Sequence, residues 1–346
     1  MQEVPDIDKT DGSWREVNSL LSKMPEVKKK YKLALALGGG GARGLAHIGV
    51  LKVLEREKVD IDLIVGTSIG AVVGAMYVQY RNAEVIQSKI LSFLDDFIEK
   101  KGWLKVLSDK QKGTKHSLFN ELSYYIQRRY LEIKTLTRVS LEDKNALYEP
   151  LKNILIDNDI EDNQVSFAAV CLDLIQGVPV VLDKGPIIDA VYASSAIEGI
   201  FPPLEHNSGL LADGGPVNIT PVEVAFKLGA KKVIAVDVPY GFHKMEKFNN
   251  GLEIMMRADS IGLRRLREIE LSLADIVITP NVSAIHWANF TKASQCIWQG
   301  ELAAQEMMPQ IKIALAKKGW LTRVKDGLKR YFNPRNSKER NLFIKR

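Results

Sequence analysis

Apolar positions along this chain change their period repeatedly, and each change marks a switch between strand and helix. Leu33 to Leu37 and Leu63 to Val65 are short unbroken apolar runs, the pattern of strands covered on both faces. Between them Leu45, Ile48, Leu51 and Leu54 recur at helical spacing. The opening therefore predicts a parallel, right-handed strand–helix–strand unit. Strand patterns return over Val165 to Leu174 and Val178 to Leu182, joined as a hairpin at Gln176-Gly177, and again over Lys232 to Val238 and Asp275 to Thr279. Helical patterns lie between and after them. The expectation is a three-layer α/β/α fold with a mostly parallel central sheet.

The flanking regions are coded differently. Residues 1–30 are polar, end in Lys28-Lys29-Lys30, and predict an extension with a short helix around Trp14 to Leu21. Residues 81–164 read as a helical insertion in the main domain, 31–280. One stripe there is Ile90, Phe93, Leu94, Phe97 and Ile98; a second is Leu118, Leu122, Tyr125 and Ile126. Such stripes suit either core packing or an apolar wall or lid over a site, and the pattern does not separate the two. Residues 281–346 form a C-terminal helical region.

Candidate chemistry sits in the turns that follow the strands. Gly38-Gly39-Gly40-Gly41-Ala42-Arg43-Gly44 leaves the first strand and opens the first helix, presenting free backbone N–H groups where the helix dipole favours negative charge. Gly66-Thr67-Ser68-Ile69-Gly70 leaves the second strand with a serine between glycines, the pattern of a nucleophile elbow. On adjacent parallel strands both turns reach the same sheet edge, as acyl transfer through an oxyanion requires. Asp213 follows the apolar run Leu210 to Ala212 and precedes Gly214-Gly215, so it too is well presented.

These turns also admit other readings. Gly39, Gly41 and Gly44 fit the dinucleotide fingerprint, but Asp60 and Asp62 precede the second strand, whereas a ribose-binding acid belongs at its carboxyl end. A P-loop is excluded because Leu45 follows Gly44 where lysine is needed. Ser68 needs a base. Of the five histidines, His47, His116, His206, His243 and His286, the last two fall in the chain order of a Ser68–Asp213–His triad, though neither lies in a glycine- or small-residue-rich turn.

The three ordered turns resemble those of the patatin-like phospholipase family, in its bacterial-type form. The glycine-rich oxyanion turn with a basic residue (Gly39, Gly40, Gly41, Ala42, Arg43, Gly44), the serine elbow (Gly66 to Gly70) and the Asp-Gly-Gly turn (Asp213, Gly214, Gly215) occur in that family's order. The resemblance covers residues 31 to 280, including the small-residue block Ala193 to Pro203. Within that block Glu198 stands where many members carry proline. The resemblance implies a patatin-like fold and a serine–aspartate dyad without histidine: Ser68 as nucleophile, Asp213 as proton acceptor, and backbone donors from Gly40, Gly41 or Ala42 for the oxyanion. It implies a lipid acyl hydrolase acting on phospholipid or lysophospholipid, with no metal or organic cofactor. Arg43 is assigned to holding the turn or an anionic head group. The alternatives are a non-catalytic lipid-binding or adaptor protein of the same fold and an α/β-hydrolase esterase with a histidine triad.

Composition and charge add two points. With 46% apolar and 26% charged residues, no membrane-length apolar run and a polar Met1 to Asp11, the expectation is a cytoplasmic protein. Cys171 and Cys296 have no neighbours at metal-ligand spacing and read as buried thiols. The net charge is +6, yet from Lys317 onward eleven Lys/Arg stand against Asp326 and Glu339, so the tail carries +9 and the remainder −3. Trp320, Leu321, Val324, Leu328, Tyr331 and Phe332 share one helical face of that tail, suiting either packing on the body or an anionic membrane surface. No nucleic-acid recognition motif accompanies the charge.

Overall fold

The computed structural model describes residues 30–100, 138–207, 209–239, 241, 247–248 and 250–316. The predicted N-terminal helix, the stripe from Leu118 to Ile126, His116, His243 and the basic tail lie outside the described residues. The elements run β1 (Ala34–Leu37), α1 (Ala46–Arg56), β2 (Leu63–Thr67), α2 (Ile69–Tyr80), α3 (Ala83–Lys100), α4 (Asn145–Ile154), β3 (Ser166–Asp173), β4 (Val178–Leu182), α5 (Ile187–Ser195), β5 (Leu204–His206), β6 (Gly209–Asp213), α6 (Val222–Lys227), β7 (Val233–Val236), α7 (Gly251–Ser272), β8 (Ile276–Ile278) and α8 (Ala293–Ala316). Strand β5, three residues long with two of them exposed, carries no apolar run and was not predicted.

The sheet is parallel through β3-β2-β1-β7-β8 and antiparallel where β4, β5 and β6 join it. Alternate residues of the parallel strands enter different layers. Leu35, Leu37, Ile64, Phe167, Ile234 and Val236 belong to a large core with α1, α2, α5 and α8. Ala34, Ala36, Val65, Ala168 and Ala235 pack with α6 on the other face. That face is built of small side chains, so α6 lies close to the strands. Helix α8 is part of the first layer: Cys296, Ile297, Ala304 and Ile311 are buried there, and Gly49 and Gly300 let α1 and α8 touch backbone to backbone. A Cβ on either glycine would fall 1.9 Å from a carbonyl oxygen of the other helix.

Register brings two chain ends together. Strand β3 pairs with β4 along one side over Ala169 to Asp173. On its other side it pairs first with β2, ending at Thr67↔Val170, and then with β6, beginning at Cys171↔Asp213. Strands β2 and β6 thus meet end to end beside Val170 and Cys171. The residue leaving β2 is Ser68, and the residue closing β6 is Asp213.

Candidate active site

Ser68 occupies φ 56°, ψ −125°, a region L-residues avoid, and is half-buried at the start of α2. Strain of this kind costs about 1–3 kcal/mol and persists only where the surroundings enforce it. Here they do. A Cβ on Gly66 would lie 2.5 Å from the Ala71 nitrogen, and one on Gly70 would lie 2.2 Å from the Leu37 carbonyl oxygen. The two glycines let α2 fold back tightly and press against the exit of β1. Ser194, fully buried in α5, accepts the Ser68 N–H at 3.0 Å and donates to the Val170 carbonyl at 2.6 Å. It locks the elbow to β3.

Asp213 is 5% exposed. Its carboxylate accepts the Gly215 N–H at 2.7 Å and lies near enough to the Ser68 hydroxyl for that group to favour its ionised form. Burial pushes its pKa up to about 7, against the opposing effect of the Ser68 hydroxyl and the Gly215 N–H, and the negative charge of Glu198 adds to the rise. Gly214 is required by close approach, since a Cβ there would sit 2.3 Å from the Val170 carbonyl oxygen. Among the described residues no histidine is a hydrogen-bond partner of Ser68 or Asp213. His286 accepts the Ala288 N–H at 3.3 Å, and His206 is exposed at the β5–β6 turn.

The glycine turn is held from several sides. Gly38 N–H donates to Val236 at 3.1 Å, Gly39 N–H to Ile219 at 2.8 Å and Ala42 N–H to Trp287 at 2.7 Å. Arg43 is buried and donates through Nε to the Gly40 carbonyl at 3.1 Å, tying the turn to its own helix. Fully buried His47 meets the Gly38 carbonyl through Nε2 at 2.7 Å, and desolvation lowers its pKa to about 4, so the ring is neutral and donates. Gly41 has φ +58° and no room for a Cβ beside the Trp287 carbonyl. The N–H groups of Gly40 and Gly41, both partly exposed, have no partner among the described residues. Gly44 instead gives space to Ile69, whose methyl would lie 2.1 Å from a Cβ. Asp62, spaced like a ribose-binding acid, accepts the N–H groups of Lys32 and Leu33 and so fixes the start of β1.

Ser68 opens onto an apolar cavity of about 100 Å³. Leu45, Val72, Phe93, Leu147, Phe201 and Trp287 are among its walls. Ile90 and Leu94 of the first predicted stripe also line it while belonging to the core. Among the described residues no group of three His, Cys, Asp or Glu side chains is arranged to hold a metal ion, and no helix is long and apolar enough to cross a membrane. Cys171 and Cys296 are buried free thiols. Sequence reasoning placed no function on Ser194, Asn218 or Trp287. Ser194 stood in a block read only as small; the other two act largely through backbone carbonyls, which leave no mark in side-chain pattern.

Comparison with known proteins bears on the same segment. A family model described as patatin-like phospholipase matches residues 35–226, more than half of the chain, with Ser68 and Asp213 both inside it. The chain belongs to the patatin-like phospholipase family. It is 32% identical over 223 residues to the mouse patatin-like phospholipase domain-containing protein 6, covering 64% of this chain and 14% of that protein. It is 29% identical over 206 residues to the lysophospholipase NTE1 of Kluyveromyces lactis, covering 60% of this chain and 12% of that protein. The family resemblance thus spans only a small part of these relatives. Among solved structures, VipD of Legionella pneumophila aligns with 14% identity and a TM-score of 0.39, over 83% of this chain and 67% of that one.

Proposed function

We infer that this chain is a lipid acyl hydrolase of the phospholipase A or lysophospholipase type, working through Ser68 and Asp213. The observation that carries this is the pair itself: a strained serine that lines an apolar cavity, beside a buried carboxylate of raised pKa. A carboxylate near its usual pKa of ~4 is too weak a base for serine, whereas one near 7 is matched to neutral pH. An acyl chain enters the cavity and its ester carbonyl lies beside the Ser68 hydroxyl. Asp213 takes the hydroxyl proton as Oγ bonds to the carbonyl carbon. The carbonyl oxygen gains negative charge and receives the N–H groups of Gly40 and Gly41. Collapse expels the alcohol, which takes the proton from Asp213, and leaves an acyl-serine. Water then adds with Asp213 again accepting a proton, and the fatty acid departs as Oγ is reprotonated. Each oxyanion donor is worth about 3 kcal/mol in comparable sites. Ala42 is not among the donors in this reading, because its N–H is held by Trp287.

The family relationship supports lipid as the substrate class, and the name of the NTE1 relative supports lysophospholipid in particular. The basic amphipathic tail from Lys317 supports peripheral placement on an anionic membrane. The test is fatty-acid release from phospholipid and lysophospholipid vesicles by wild type, Ser68→Ala and Asp213→Asn, each checked for folding by circular dichroism. Wild type is expected to be active and both variants to lose at least about 10³-fold, the scale of losing a nucleophile or its base. Equal release by all three would end the catalytic reading and leave a lipid-binding protein of the same fold. Loss of activity on replacing His243 or His286 would favour the triad, and activity that survives both replacements would remove it.

A further inference from the structure

Three separate motifs converge on one short segment, residues 218–220. The Asn218 N–H donates to the Gly214 carbonyl of the Asp213 turn at 2.9 Å. The Asn218 carbonyl accepts the buried Thr67 hydroxyl, one residue before the nucleophile, at 2.7 Å. The Ile219 carbonyl accepts the Gly39 N–H of the oxyanion turn at 2.8 Å. A single side chain holds this segment from behind. Glu270 of α7 is 3% exposed and accepts the Asn218 Nδ2 through one oxygen at 2.8 Å and the Thr220 N–H through the other at 3.1 Å.

We propose that Glu270 is a positioning residue, fixing the elbow, the oxyanion turn and the Asp213 turn relative to one another through residues 218–220. The proposal rests on the hydrolase reading above for its effect on rate, but its geometric content stands without turnover. A carboxylate in this position is a costly choice for anchoring a helix, since an apolar side chain of the same size would bury without desolvating a charge. What a carboxylate adds is two acceptors in one plane, matched to two donors two residues apart. The helix is seated at a second point: Arg267, one turn earlier on the same face, pairs with Asp237 at 3.0 Å just after β7. Glu270 therefore projects from a fixed helix onto a segment that has no regular structure of its own. Loss of the grip frees the Ile219 carbonyl to drift, and the Gly39 N–H with it.

Glu270→Gln tests this in the full chain. The amide keeps one acceptor and sets an N–H against the second donor. Hydrogen–deuterium exchange is read in peptides covering 38–45 and 63–70, and kcat and KM are read with lysophosphatidylcholine. The control is Glu268→Gln, which removes a surface partner of Arg264 and Arg265 on the same helix. For Glu270→Gln, exchange is expected to rise at least threefold in both peptides and kcat to fall about tenfold, with KM within twofold; Glu268→Gln should match wild type. A Glu270→Gln protein that melts earlier but keeps wild-type exchange in both peptides and wild-type kcat would overturn the proposal, leaving Glu270 a mere helix anchor. Should wild type release no fatty acid, the hydrolase reading fails by itself, and the exchange result still decides whether Glu270 couples the turns. Should Glu270→Gln not fold, Asn218→Ala, which frees one Glu270 oxygen and keeps the backbone carbonyl, is read by the same criteria.

Discussion

The two halves of the proposed Ser68–Asp213 pair are built by different means. Ser68 sits in a turn that its own neighbours impose: Gly66 and Gly70 permit the tight return into α2, and the strained backbone follows from that local crowding. Asp213 has no such local device. Its position comes from register, because β6 meets β2 end to end along β3, and its raised pKa comes from burial by elements distant in sequence. On the proposed reading the nucleophile is encoded in five consecutive residues, whereas its base exists only once the sheet is assembled. The two should therefore respond differently to substitution: removing the serine changes chemistry alone, while removing the carboxylate changes chemistry and stability together.

The sharpest expression of that difference is the thermal stability of Asp213→Asn. The folded protein holds the Asp213 proton up to about pH 7, whereas an unfolded aspartate releases it near 3.8. Between those values the native state binds more protons than the unfolded state, so this group's contribution falls as pH rises. The shift corresponds to on the order of 4 kcal/mol above pH 7, an upper bound since burial also relaxes. Asparagine carries no such burden and still accepts the Gly215 N–H. The expected outcome is an inactive Asp213→Asn protein whose melting temperature exceeds that of wild type by several degrees at pH 8 and by little at pH 4. Ser68→Ala should show no comparable pH-dependent gain. If both variants shift alike at both pH values, the burial account of the Asp213 pKa is wrong.

A smaller effect is expected at the joint between the halves. Ser194 is the side chain that connects the elbow to β3 at Val170, beside the Cys171↔Asp213 pair. Ser194→Ala leaves the half-buried Ser68 N–H and the buried Val170 carbonyl without this partner, a cost of about 1–3 kcal/mol. Activity should fall roughly tenfold through a looser elbow, far less than the loss from either dyad substitution. Urea denaturation and steady-state kinetics on the same preparation separate the two consequences. Wild-type values for both would mean that glycine packing alone sets the elbow.

The same contrast explains what was legible in the sequence. The parallel strands, α1 and the three turns could be read because each is a local pattern, either an apolar run or a glycine cluster. β5 was invisible because two of its three residues are exposed and its pairing partner, not its composition, makes it a strand. Ser194 was seen only as a small residue, since its two hydrogen bonds reach a strand 24 residues back and an elbow 126 residues back. The proposed oxyanion donors could be narrowed only with Trp287 in place, because its carbonyl consumes the Ala42 N–H from more than 200 positions away. Local chemistry is written locally; the groups that tune it are supplied by topology.

The finest effect concerns Glu198, in the loop that follows α5. Glu198 lies between Ile197 and Phe201, both cavity residues, and retains solvent access although desolvation raises its pKa. Its negative charge opposes ionisation of Asp213 and so raises that pKa further, as the last of four contributions. Glu198→Gln removes the charge while preserving length, so Asp213 should ionise at slightly lower pH. The acidic limb of the kcat/KM profile should move down by a few tenths of a unit, the size expected for a partly solvated neighbouring charge. The rate at the plateau should change little or fall slightly, because a weaker base takes the serine proton less readily. Ser68→Ala, having no base-dependent limb to move, supplies the blank. A limb that moves upward, or one that stays fixed while Asp213→Asn abolishes it, would show that Glu198 acts on substrate rather than on the base. That outcome would turn the remote tuning described here into a contact at the mouth of the cavity.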